Sequence, residues 1–140
     1  MTEQSTDRDV RSEEEWRAVL NPDQFAVLRQ AATEPPFTGK YTYEKATGIY
    51  HCGACGAPLF DSSTKYDSGS GWPSFTEPVV AEAVELVEDR SHGMVRIEVR
   101  CRRCGSHLGH VFDDGPGPTH QRYCMNSIAL DLEPTEGSDS

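Results

Sequence analysis

The amino-acid sequence predicts an α+β fold that is mainly β: two short N-terminal helices beside antiparallel sheets curled into a barrel-like body. Three observations carry this expectation. Helical spacing and helix-start signals cluster between Ser12 and Pro36. After Gly39 the chain breaks into short β-like runs punctuated by Gly, Pro, Asp and Ser, the composition of strands and turns. Two C-x-x-C-G units stand 45 residues apart, each beside a strand-like run, and they add a structural zinc clamp to the fold.

Ser12 followed by Glu15 is a capping-box pattern opening SEEEWRAVL, with Trp16, Val19 and Leu20 at helical spacing. Asn21-Pro22 then supplies a second N-cap with proline at the first helical position. Its stripe of Phe25, Leu28 and Ala32 is expected to pack on the body, and Pro35-Pro36 ends the helical region. Among the strands, MVRIEVRC is the clearest. Alternation puts Val95, Ile97, Val99 and Cys101 on one face and Arg96, Glu98 and Arg100 on the other. RYCMNSIALDL reads as a second strand, with GIYHC and AVELVED as weaker ones.

A chain of 140 residues suits one domain, placed at 12–132. The net charge of −10 is concentrated at the ends: residues 1–15 hold six acids and two bases, and residues 131–140 hold four acids and no base. Residues 1–11 and 133–140 therefore read as flexible acidic tails. An acidic chain without a basic stripe is a poor fit to nucleic acid, where phosphate neutralisation dominates affinity. No apolar run approaches the roughly 20 residues of a membrane helix, and the N-terminus lacks the apolar segment of a secretory signal. The expectation is a cytoplasmic monomer.

Cys52-Gly-Ala-Cys55-Gly and Cys101-Arg-Arg-Cys104-Gly each place two thiolates on a tight turn, and the following glycine permits positive φ. Together they make the closed four-sulfur set of one structural zinc ion. The first pair alone also fits a thioredoxin-type redox motif, but no strand-to-helix setting surrounds it and the second pair then has no role. Disulfides are a third reading, disfavoured in a cytoplasm. His51 is a further candidate for the metal shell.

Cys124 is the odd cysteine. In an extended strand Arg122, Cys124, Asn126, Ile128, Leu130 and Leu132 share a face. A thiol between a guanidinium and an amide suits a nucleophile, with Arg122 expected to lower its pKa. A buried small hydrophobe is the plain alternative. His107 and His110 follow the second knuckle, with Asp113 and Asp114 close behind. Either imidazole can act as a proton donor, or substitute as a metal ligand. Gly69–Phe75 is a glycine-rich loop whose Trp72 can cup a thioether or anchor the core.

With these residues in view, the chain resembles the methionine-R-sulfoxide reductases of the B type. Asp-Ser-Gly-Ser-Gly-Trp-Pro-Ser-Phe (67–75), His-Leu-Gly-His-Val-Phe (107–112) and Arg-Tyr-Cys-Met-Asn-Ser (122–127) look like that family's signature blocks, as do Glu34–Gly39 and the two knuckles. The resemblance spans about residues 34–130, in order. It implies reduction of the R epimer of methionine sulfoxide in proteins or peptides, with thioredoxin or a similar thiol as reductant. By position Cys124 matches the nucleophile. His107, His110, Asp114, Arg122 and Asn126 match the polar active-site shell, Trp72 and Phe112 the methyl pocket, and Cys52, Cys55, Cys101 and Cys104 the zinc ligands. One departure stands out: Ser70 occupies the place where many members carry a resolving cysteine. A zinc-ribbon protein-interaction module is the competing expectation. It gives Cys124, the histidines and the Gly-Trp loop no role.

Overall fold

The computed structural model of the protein describes residues 12–134. Helix α1 (Glu13–Val19) and helix α2 (Pro22–Gln30) start where the capping signals place them. Ser12 and Glu15 bond reciprocally, and so do Asn21 and Gln24, which satisfies N–H groups that a helix start otherwise leaves bare. Trp16, Phe25, Val27 and Leu28 are buried. Val19 and Ala32, placed on the packed stripes by spacing, are exposed instead. For Ala32 the reason is that α2 ends at Gln30, with Ala31 in the left-handed region.

Strand β1 (Gly48–Cys52), β2 (Pro58–Asp61), β3 (Lys65–Tyr66), β4 (Ser74–Phe75), β5 (Val84–Asp89), β6 (Arg96–Cys101), β7 (His107–Phe112), β8 (Arg122–Met125) and β9 (Leu130–Pro134) come next along the chain. They form two antiparallel sheets, one ordered β2-β1-β9 and the other β3-β4-β8-β7-β6-β5. The expected RYCMNSIALDL strand is two strands. A 3-10 turn at Ser127–Ala129 carries the chain from β8 in the large sheet to β9 in the small one. Closure into a barrel is not found among the described residues: β2 and β9 edge one sheet, β3 and β5 the other. β9 continues through Glu133 and Pro134, which pair with Ile49 and Gly48. The acidic tails expected at 1–11 and 133–140 otherwise fall outside the described residues.

The core lies where the sheets and helices meet. Phe60 stacks on Phe75 at 4.5 Å and Tyr50 meets Phe75 edge-on at 5.1 Å, joining the small sheet to the large one. Arg29 of α2 donates to the Cys104 carbonyl at 2.9 Å and to Ser106 Oγ at 3.0 Å, tying the helical pair to the second knuckle. Glu34 is a buried latch. Its N–H donates to Asn126 Oδ1, its Oε1 accepts from the Ile128 N–H, and its carbonyl accepts from Trp72 Nε1, each at 3.0 Å. One residue after the helices thus sets two side chains of the site.

Candidate active site

β8 presents Cys124 between two neighbours in register: Ser74 on β4 and His110 on β7. Gly109 makes the second approach possible, because a Cβ there would collide with the Cys124 carbonyl. Around the sulfur opens a cleft of about 190 Å³ lined by Ser70, Trp72, His110, Phe112, Arg122 and Asn126, together with Arg96 and Thr33. The sequence-predicted residues Cys124, His110, Arg122, Asn126, Trp72 and Phe112 therefore converge.

Two do not reach it. Asp114 is exposed and holds Arg122 from outside, accepting from Nε at 2.8 Å and Nη2 at 3.2 Å. His107 is buried behind His110, its Nδ1 2.7 Å from Glu98 Oε2. Both histidines nevertheless lie on one side of β7, although residues three apart in a regular strand face opposite ways. The cause is a register shift between Val99 and Arg100, which inserts Leu108 as an extra residue and brings His107 back beside His110. Their rings meet edge-on at 5.5 Å.

Each imidazole has a carboxylate partner that alternation and motif reading missed. His110 Nε2 lies 2.8 Å from Asp89 Oδ2 on β5, and the same oxygen takes Arg96 at 3.4 Å. Glu98 takes Arg100 at 2.9 Å as well as His107. The Ser91 and His110 contacts hold the Asp89 carboxyl well below the usual range. Burial lowers His107, against Glu98, which raises it. Glu98 is buried, opposing ionisation, but Arg100 and His107 outweigh that and its pKa is lowered. Glu98 gave no clear signal, because it alternates with Arg96 and Arg100 on a face that reads as solvated. Asp89 had none, because its partner is 21 residues away.

Burial pushes the Cys124 thiol up, against the Ser70 hydroxyl and the Arg122 guanidinium, which pull it down. The expected lowering by Arg122 does not prevail. That guanidinium is shared with Asp114 and stacked 4.6 Å over Phe112. Asn126 is committed to backbone, donating Nδ2–H to the Leu108 carbonyl at 3.1 Å. Trp72, with its N–H held by Glu34, offers its ring to the cleft.

The four knuckle cysteines gather away from this cleft. All their sulfurs lie within 4.8 Å of one another, with Cys52 and Cys104 at 3.7 Å and Cys55 and Cys101 at 3.6 Å. A tetrahedral zinc with bonds of about 2.3 Å sets its sulfurs about 3.8 Å apart. The donor set fits one such ion. Gly56 and Gly105, at φ +82° and +77°, turn each knuckle, and their N–H groups donate to the carbonyls of Cys52 and Cys101. His51 stays outside this set, bonded to the Gly56 carbonyl at 2.9 Å and to Glu133 at 3.0 Å.

The family model of the SelR domain matches residues 20–134. The chain belongs to the SelR-domain family. Among curated proteins it is 60% identical, over 124 residues, to the peptide methionine sulfoxide reductase MsrB of Methylibium petroleiphilum, covering 89% of this chain and 90% of that protein. It is 61% identical over 128 residues to the protein of the same name from Leifsonia xyli, covering 91% and 92%. With that of Bradyrhizobium diazoefficiens it shares 56% over 133 residues, covering 95% and 96%. Cleft and knuckles both fall inside the SelR match.

Proposed function

We propose that this protein is a peptide-methionine (R)-S-oxide reductase, an oxidoreductase that reduces methionine-R-sulfoxide in peptides and proteins through the thiol of Cys124. The observation that carries the proposal is the register pairing of Cys124 with His110 at the floor of a cleft walled by Trp72 and Phe112. A nucleophile, a proton donor and an apolar wall for a methyl group are what a sulfoxide demands. Its sulfur is weakly electrophilic, and its oxygen leaves only when protonated.

The Cys124 thiolate attacks the sulfoxide sulfur while His110 delivers a proton to the oxygen. The S–O bond breaks as the oxygen leaves as water. A water then attacks the Cys124 sulfur and breaks the new sulfur–sulfur bond; methionine departs reduced by two electrons and Cys124 is left as a sulfenic acid. Two thiols then return it to the thiol, releasing water and a disulfide. His110 is the acid in preference to His107, because His110 lines the cleft and His107 is buried against Glu98. Arg122 and Asn126 shape the polar side, and Asp114 acts through Arg122.

Cys52, Cys55, Cys101 and Cys104 would hold a zinc ion whose closed thiolate set supplies structure and no reaction step. We further propose one catalytic domain at 12–132, acting as a monomer in the cytoplasm with thioredoxin or a similar dithiol. A reducing compartment is supported by that cluster, since such thiols cross-link in an oxidising one. No helix among the described residues is long and apolar enough to cross a membrane. A zinc-ribbon interaction module accounts for the knuckles and leaves the cleft without a role. The test is to supply R and S epimers of a dabsyl-methionine sulfoxide separately, with dithiothreitol. The R epimer should yield methionine and the S epimer none; no turnover of R, or equal turnover of both, overturns the proposal.

A further inference from the structure

Three serines run in a hydrogen-bonded chain from the Cys124 sulfur into the wall of the cleft. Ser70 Oγ lies 3.9 Å from Cys124 Sγ. Ser68 Oγ lies 2.7 Å from Ser70 Oγ and 2.8 Å from Ser74 Oγ. Ser74, fully buried and facing Cys124 across β4 and β8, donates to the Trp72 carbonyl at 3.2 Å. The Ser70 N–H also donates to Ser68 Oγ at 3.2 Å, which fixes the spacing of the first two links.

Each hydroxyl brings one proton and two lone pairs, so the chain has two ordered states. While Cys124 is a thiol, its S–H donates to Ser70, Ser70 to Ser68, Ser68 to Ser74, and Ser74 to the Trp72 carbonyl. When the thiol proton leaves to solvent, the hydroxyls rotate the other way. Ser74 then donates to Ser68, Ser68 to Ser70, and Ser70 to the new thiolate. No covalent bond of the serines changes.

We propose that Ser68, Ser70 and Ser74 form a reversible hydroxyl chain that stabilises the Cys124 thiolate, with Ser70 and Ser74 beside the sulfur and Ser68 as the positioning residue that links them. The need for it is visible in the site. Burial disfavours a charge on sulfur, and the guanidinium of Arg122 on β8 is divided between Cys124 and Asp114. The other titratable and charged groups that share the cleft with the sulfur are His110 on β7 and Arg96 on β6, with Tyr66 of β3 close enough to interact with it electrostatically. Ser70 and Ser74 both favour the charged form. A cysteine at position 70 would be a weaker donor, so the serine here performs a task of its own.

The inference rests on Cys124 being the nucleophile. The test reads the sulfur without substrate, so a failure of sulfoxide reduction is separable from a failure of the chain. The full-length zinc-loaded protein is alkylated with iodoacetamide across pH, and modified Cys124 is followed by mass spectrometry. Ser70→Ala should move the midpoint upward by about one pH unit and slow alkylation at pH 7 about tenfold, as loss of a hydrogen bond to a charge implies. Ser68→Ala, which removes no contact with sulfur, should give a smaller upward shift, and Ser70→Thr should restore the original midpoint. Wild-type curves for both alanine variants, with zinc content retained, overturn the proposal. If Ser70→Ala misfolds, folded Ser68→Ala alone decides, and an unchanged midpoint there overturns it.

Discussion

At Cys124 burial opposes ionisation while Ser70 and Arg122 favour it, and burial prevails. The free enzyme should therefore show a thiol that titrates above about 8.5, the ordinary value, as measured by alkylation rate against pH. The neutral form dominates at pH 7, and reactivity rises as pH climbs through the shifted midpoint. Cys124→Ser should bring turnover to background while zinc content is kept and the melting temperature moves by no more than about 2 °C, a surface-scale effect. Turnover persisting with dithiothreitol would mean that another residue is the nucleophile. Ser70 puts a hydroxyl, not a thiol, 3.9 Å from this sulfur. One equivalent of R sulfoxide without reductant should leave a sulfenic acid on Cys124 that dimedone traps, because the other four thiols are clustered away from the cleft. Ser70→Cys supplies a thiol at a position whose side chain reaches the sulfur, so its oxidised form should lose two thiols where the parent loses one. Mass spectrometry of the single-turnover product distinguishes the two, and an internal Cys124 disulfide in the parent, formed without zinc loss, would contradict this assignment.

Strands β5, β6 and β7 work as one element, because the carboxylates that hold the histidines come from β5 and β6. Asp89 sits on the edge strand with its charge shared between Arg96 and His110. Asp89→Asn replaces the carboxylate that holds the His110 ring, so the imidazole is less firmly oriented toward the cleft. With His110 as the acid proposed above, kcat should fall by about tenfold with KM little changed, part of the 10²–10⁴ that general acid catalysis contributes. Unchanged kcat in the folded variant, or a loss confined to KM, would show that Asp89 does not position the proton donor. The same strands show why some of this was hidden in the sequence. Capping boxes at Ser12 and Asn21 were legible because both partners sit within three residues. Alternation in β6 separates two faces without saying which is core. Ile97, on the apolar face, is 37% exposed, while Glu98 on the charged face is 7% exposed because His107 and Arg100 satisfy it. The extra residue in β7 that aligns the two histidines has no local signature.

Across the whole molecule, the two knuckles belong to different sheets. Cys52 ends β1 and Cys55 lies on the turn to β2, while Cys101 ends β6 and Cys104 lies on the turn to β7. Their spacing made the metal site legible, since a pair of C-x-x-C-G units states its donors directly. The division between sheets was not legible, because the switch at Ser127–Ala129 interrupts what alternation reads as one strand. A zinc ion on these sulfurs cross-links the small sheet to the large one, beside the turn that leads into His107. The large sheet also carries Cys124, so the metal steadies the catalytic register from a distance. Purified protein should contain about one zinc per chain. Cys101→Ser should lose it and unfold or aggregate, for two reasons of scale. Structural zinc sites contribute about 10–16 kcal/mol of apparent binding energy, coupled to folding, whereas a domain's whole stability is about 5–15 kcal/mol. Chelation should act in the same direction, with activity and the cooperative thermal transition falling together as zinc is released. Zinc analysis with circular dichroism on the reduced protein checks this, and a well-folded, metal-free form would show that the sheets do not depend on the clamp.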